Sequence, residues 1–184
     1  MDIKLYTLIV HSENFAGLLS QVTAVFTRQQ LNIESLNVSA SSIPGLHKYT
    51  ITTYTDEETI AKVAKQIEKK IDVISANYFT DEQLFSYEVA LYKLSMPEFL
   101  SDHAVLHIIS QYNANLVEVN SVFSILVKSG TSEDITALYE ELQKYKVVLQ
   151  FVRSGRIAVT TSCYEKVSEF LEMREKQYCT RKIR

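Results

Sequence analysis

The chain has 184 residues, 46% hydrophobic and 22% charged, with a formal net charge of −3 and a pI near 5.8. Such a composition builds a core and argues against disorder, and a mildly acidic balance offers no global attraction to a phosphate backbone. No stretch approaches the roughly 20 apolar residues of a membrane helix, and the opening apolar run is too short for a signal peptide, so a cytoplasmic protein without nucleic-acid or membrane partners is expected.

Only four glycines and two prolines occur, so each is expected to be positional. IKLYTLIV opens the chain as a β-rich apolar run. After HSENFAG, the residues Leu18, Leu19, Val22, Val25 and Phe26 recur at three- and four-residue spacing, which predicts an amphipathic helix from about Gly17. IESLNVSA follows Asn32 as an imperfectly alternating strand, and SSIPGL is a turn carrying Pro44 and Gly45. KYTITTYT is a strand of threonines and tyrosines around Ile51. Thr55 with Glu58 reads as a capping box, opening a helix with Ile60, Val63, Ala64, Ile67 and Ile71 on one face. VISANYF is the fourth strand.

The β-α-β-β-α-β order then repeats. LFSYEVALYKLS is a strand, Pro97 suits a first helical turn, and Val105, Leu106, Ile108, Ile109 and Tyr112 supply a helix face. NLVEVNS and VFSILVKS pair, Thr131 and Asp134 cap a helix carrying Ile135, Leu138, Tyr139 and Leu142, and VVLQFV is the eighth strand. RSGRIAVTT follows, with a terminal helix from about Cys163. The expected fold is α+β, two tandem βαββαβ units of ferredoxin-like topology with antiparallel sheets and helices on one face. The expected division is 1–79, 84–162 and a tail at 163–184, with TDEQL near residue 80 as the link. Sheets of this kind expose edges that a second copy can cover, so a homodimer is expected.

Catalytic motifs are weak. His103 and His107 in HAVLH share a helix face, as in a zinc-protease helix, but Ala104 stands where a general-base glutamate is needed and no third ligand is evident. Ser154 before Gly155 lacks a GxSxG context, and neither SGTSE nor RSGR matches a phosphate or dinucleotide loop. Cys163 and Cys179 have no CxxC spacing and read as free thiols. KYTITTY lacks the basic-Gly-aromatic pattern of an RNA-recognition strand. No catalytic residue and no metal site are therefore expected.

The stretch SENFAGLLSQVTAVFTRQQLNIESLNVSA is different. A helix start presents unpaired N–H groups and partial positive charge, a place for a small carboxylate, and Gly17 removes the side chain that would block it. Asn14 can donate to a carboxylate and accept from an ammonium group. The same residues serve equally as turn chemistry, with Asn14 as a cap and Asn32 as a left-handed residue ending the helix. Helix-end physics leaves both readings open.

ENFAGLLSQVTAVFTRQQLNIESLNV closely resembles the first motif of the acetolactate (acetohydroxyacid) synthase small-subunit family, E-N-x-x-G-x-L-S-x-[VI] followed by N-I-E-S-L. The matching letters are Glu13, Asn14, Gly17, Leu19, Ser20, Val22, Asn32, Ile33, Glu34, Ser35 and Leu36. The likeness extends through Ile71, Asp72 and Val73, the VKSGTSEDI segment and RSGRIAV. The resemblance implies an N-terminal ACT domain, an amino-acid-binding regulatory module, at 1–79 and a C-terminal ferredoxin-like domain at 84–162. It implies a branched-chain amino acid, usually valine, held across a homodimer interface by Asn14, Gly17 and Leu18 of one subunit and Asn32 and Ile33 of the other. It further implies a catalytic large subunit as partner, which alone would carry thiamine diphosphate, magnesium and FAD, none being expected in this subunit. FSYEVALYKLS departs from the family's usual entry to the second unit, and the segment after Cys163 is longer than many relatives carry.

Overall fold

The computed structural model describes residues 2–97 and 103–161. Two compact units result among the described residues, one from residues 2–85 together with 158–161, the other Ser86–Ile157. The chain therefore passes between them twice.

The first unit contains β1 (Lys4–Glu13), α1 (Leu18–Arg28), β2 (Ser35–Ala40), β3 (Leu46–Thr55), α2 (Glu57–Glu68) and β4 (Val73–Phe79). Its antiparallel sheet has the order β2-β3-β1-β4, which places β1 centrally and β2 at an edge. Alternation decides the faces. Tyr6, Leu8 and Val10 of β1 join Tyr49 and Ile51 of β3 beneath Leu18, Val22, Val25 and Phe26 of α1 and Ile60, Val63, Ala64 and Ile67 of α2. Burying each large aliphatic or aromatic side chain there is worth about 1.5 to 3 kcal/mol. Ile9, on the opposite face of β1, clusters with Phe79, Leu84 and Ala158.

The helix ends differ from the residues expected. α1 closes with Gln30 in the left-handed conformation at φ 56°, its amide on the Thr27 carbonyl and the Leu31 amide on the Phe26 carbonyl. This is a Schellman closure built on glutamine, so Asn32 is not the left-handed residue. α2 is capped by Asp56 and not Thr55, the carboxylate accepting from the Thr59 amide at 3.0 Å and hydroxyl at 2.8 Å. These donors hold the Asp56 carboxyl below its ordinary pKa. Ile71 lies beyond α2 and is 84% exposed, so it is not part of that helix's buried face.

The second unit contains most of β5 (Leu84–Ser95), then α3 (His103–Gln111), β6 (Asn115–Val119), β7 (Phe123–Gly130), α4 (Ser132–Lys144) and β8 (Val148–Arg153). The sheet order is β6-β7-β5-β8, and a ninth strand, β9 (Ile157–Thr160), most of which is counted with the first unit, also pairs with β5, so this sheet holds five strands where four were expected. Ala90, Tyr92, Leu94 and Leu126 pack under Val105, Ile108, Ile109, Ile135, Leu138 and Leu142, whereas Leu106 stays exposed. Tyr92 is fully buried, donates to the Ile135 carbonyl at 2.8 Å, and has its phenol pushed upward in pKa by desolvation. Thr131 and Asp134 form the expected reciprocal cap of α4. Met96 and Pro97 are helical, and the terminal helix expected from Cys163 lies outside the described residues.

Candidate functional site

Near its end β1 shifts register against β4 between His11 and Ser12 while staying paired with β3 to Glu13, and the loop that follows is held by main-chain bonds at successive positions. The amide of Glu13 donates to the Asp72 carbonyl at 2.9 Å, that of Asn14 to Gly45 at 3.0 Å, and that of Phe15 back to Glu13 at 3.0 Å. The Leu18 amide reaches the Phe15 carbonyl at 3.3 Å, and Gln21 reaches Gly17 at 3.2 Å. Gly17 has φ 87°, ψ −7°, a left-handed conformation that glycine adopts without penalty, and no atom lies within 4 Å of where a Cβ would stand. Glycine is thus favoured by backbone geometry, and the space above it is open.

No side chain caps α1 and its first turn holds no acidic residue. The amides of Leu19 and Ser20 are consequently the donors available at this helix start, where partial positive charge favours a carboxylate. Asn14 and Phe15 are exposed beside it. Leu18, in contrast, is 0% exposed: its side chain belongs to the core and its amide is already engaged.

Asn32 and Ile33 lie elsewhere. The Asn32 carbonyl accepts the Thr53 hydroxyl at 2.6 Å, its side chain is exposed, and Ile33 is half-buried against the first core. Thr53 pairs with Tyr6, whereas the Asn14 loop leaves from Glu13, which pairs with Leu46. Seven strand residues at about 3.3 Å each separate these levels, roughly 23 Å along the sheet. Within one chain the two halves of the expected site stand at opposite ends of β1 and are not brought together.

A pocket of about 300 Å³ occupies another part of this unit, lined by Asp2, Lys4, Tyr6, Asp56, Glu57 and Glu58. Four carboxylates against one ammonium, itself paired with Asp2 at 3.0 Å, make it a poor host for an anion. Nor does other chemistry assemble. His107 is exposed on α3, the side chain of His103 lies outside the described residues, and among the described residues no three His, Cys, Asp or Glu side chains converge on a metal position. The Ser154 hydroxyl accepts from the Val89 amide at 3.0 Å and donates to the Gly155 carbonyl at 2.8 Å, the role of a turn residue.

One cluster joins Ser132 of SGTSE to Arg153 and Arg156 of RSGR through Glu88, a residue that no motif of the sequence singled out. Glu88 of β5 is 4% exposed and receives the Arg153 guanidinium at 2.8 Å, together with the Ser132 hydroxyl. Arg156, 7% exposed, donates to Ser132 Oγ at 3.1 Å. The available signal was parity: Glu88 shares the inward phase of Ala90, Tyr92 and Leu94. The cluster fastens the turn between β8 and β9 onto the start of α4.

Comparison with known proteins is consistent over both units. Residues 8–75 match the AHAS small subunit-like ACT domain, and residues 87–162 match the family described as small subunit of acetolactate synthase. The acetolactate synthase small subunit of Buchnera aphidicola (subspecies Baizongia pistaciae) is 30% identical over 147 residues, covering 80% of this chain and 92% of that protein. This chain belongs to the acetolactate synthase small-subunit family. The Bacillus subtilis small subunit is 29% identical over 157 residues, covering 84% of this chain and 90% of the relative. The crystal structure of the Thermotoga maritima acetolactate synthase small subunit superposes with a TM-score of 0.79 at 23% identity, covering 88% of this chain and all of that one. That likeness shows a shared fold. The small-subunit match over 87–162 also includes the Glu88, Arg153 and Arg156 cluster, which lies far in sequence from Asn14 and Gly17.

Proposed function

We propose that this chain is the noncatalytic regulatory subunit of an acetolactate synthase. It binds the catalytic large subunit, raises its activity, and confers inhibition by a branched-chain amino acid, valine foremost, held between two copies of its first unit. The observation that carries this reading is the separation of Asn14 and Gly17 from Asn32 and Ile33 along one sheet, because a single ligand can meet both only if a second copy supplies one half.

Edge strand β2 offers a way to do so. Antiparallel pairing of β2 with its copy, about a two-fold axis, sets the Asn32 end of one strand against the Ala40 end of the other. The Ala40 end is the side where His47 pairs and where Gly45 receives the Asn14 amide. In that arrangement the ligand carboxylate rests on the α1 amides, the ammonium group on amide and carbonyl oxygens, and the aliphatic group on apolar side chains. Valine alters activity only by binding the inhibited arrangement of the complex more tightly than the active one; such couplings are typically about 1 to 3 kcal/mol. Thiamine diphosphate, magnesium and FAD belong, on this reading, to the large subunit alone.

The test is to mix purified chain with its cognate large subunit and follow acetolactate formation from pyruvate with and without valine. Stimulation that valine reverses is expected. A chain that binds valine but leaves the large subunit unaffected would be a free-standing amino-acid sensor of tandem units, and the proposal would fail.

A further inference from the structure

We infer that Phe15 forms the apolar wall of the effector site and sets which aliphatic amino acid the site accepts, an inference that rests on the effector reading above. The starting point is the removal of Leu18 from the surface. A branched-chain ligand whose carboxylate lies on the first turn of α1 needs an apolar surface within reach for its side chain, and Leu18 is fully buried with its amide bonded to Phe15. Besides Ala16, whose methyl is too small to wall a ligand, the residues around Gly17 leave two large apolar candidates on the surface, Phe15 at 61% and Leu19 at 40% exposure.

Of these, Phe15 is the larger and stands between the two residues assigned to the ligand's polar end, one position after Asn14 and two before Gly17. A lone exposed aromatic is ordinary on a protein surface. This one differs in its support. Its amide donates to Glu13 and its carbonyl accepts from Leu18, while the preceding amide is tied to Gly45, so the backbone that carries the ring is fixed on both sides. The ring itself has only two rotatable bonds, so little freedom is lost when a ligand packs on it. Ile33, half-buried, supplies the complementary apolar contact from the second copy. Selectivity then follows from contact area: each methylene matched by an apolar wall changes affinity by about tenfold or more, whereas the polar end is common to all amino acids.

The experiment is calorimetric titration of the full chain with valine, leucine, isoleucine and alanine, comparing wild type with Phe15→Ala, Phe15→Leu and Asn14→Ala. Phe15→Ala is expected to weaken valine and leucine by at least about tenfold while moving alanine by less than about threefold, so the valine-to-alanine ratio collapses. Phe15→Leu keeps an apolar wall and most of the ratio, and Asn14→Ala weakens every amino acid alike. Because Phe15 is exposed, loss of folding does not intervene. An unchanged ratio in Phe15→Ala overturns the inference while leaving the effector site standing. Loss of large-subunit stimulation in Phe15→Ala, with its ratio intact, overturns it equally and would make Phe15 a subunit contact. A wild-type chain that binds no amino acid overturns the effector reading itself.

Discussion

Replacing Gly17 by aspartate separates the ligand's electrostatics from the fold. The Cβ has open space, with no atom within 4 Å, so the cost to folding is confined to the left-handed backbone at φ 87°. That strain is about 1 to 2 kcal/mol for an ordinary residue and less for aspartate, which visits this conformation more readily. A carboxylate at an uncapped helix start returns about 0.3 to 1 kcal/mol. The variant is therefore expected to fold, with a melting temperature close to that of wild type. Its effect on a bound amino acid is far larger. Two carboxylates about 4 Å apart repel by about 4 kcal/mol at the effective dielectric of a protein surface, close to a thousandfold in affinity. In a valine titration of the reconstituted enzyme, Gly17→Asp should retain stimulation and lose inhibition. Gly17→Ala carries the backbone strain without the charge and should lose far less. Half-inhibition of Gly17→Asp at the wild-type valine concentration would refute the placement of a carboxylate on α1.

Leu18→Ala should cost about 2 to 5 kcal/mol in urea unfolding, as for a buried leucine, without altering the valine-to-alanine preference; a selective loss of valine would return Leu18 to the ligand. Glu88→Ala leaves the buried Arg156 and the exposed Arg153 without their carboxylate and should destabilise the second unit by about 3 kcal/mol, measured by the denaturant midpoint. Asp56 has its folded pKa depressed by the Thr59 donors, so its contribution is present above the unfolded carboxylate value and is lost as pH falls through the folded one. Asp56→Ala should accordingly narrow its deficit in stability as the pH is lowered through the acid range, and a deficit constant with pH would argue against the charged cap.

Periodicity carried most of the fold. Val22, Val25 and Phe26 share a helical phase with Leu18, and that phase already placed Leu18 in the core, even as the family resemblance implied a ligand contact there. Leu19 shared the apolar stretch but is 40% exposed, because one step along a helix turns a residue by about 100°. The caps at Thr131 and Asp134 were legible because their side chains close a local ring. The end of α1 was not, since the left-handed residue is Gln30, whose side chain advertises no such conformation, and Asn32 only had the chemistry for it. β9 is four residues long and is held by pairing with a strand some 70 positions away, too short for a pattern and too distant for a turn signal. The candidate site was legible as residue types and spacing, while the distance between its halves needed the strand register. No single-residue signal encodes that Glu13 and Asn32 belong to opposite ends of one sheet.

Complementation between two broken chains tests the shared site most directly. Gly17→Asp spoils the loop half and Asn32→Ala spoils the strand half, so neither homodimer should bind valine. A mixed dimer carries one doubly damaged site and one built from the intact loop of the Asn32→Ala chain and the intact strand of the Gly17→Asp chain. After subunit exchange, confirmed by differently tagged copies, the mixed dimer should regain valine inhibition of the large subunit while both parents stay uninhibited. A mixed dimer as insensitive as its parents would contradict a site completed by two copies of this chain.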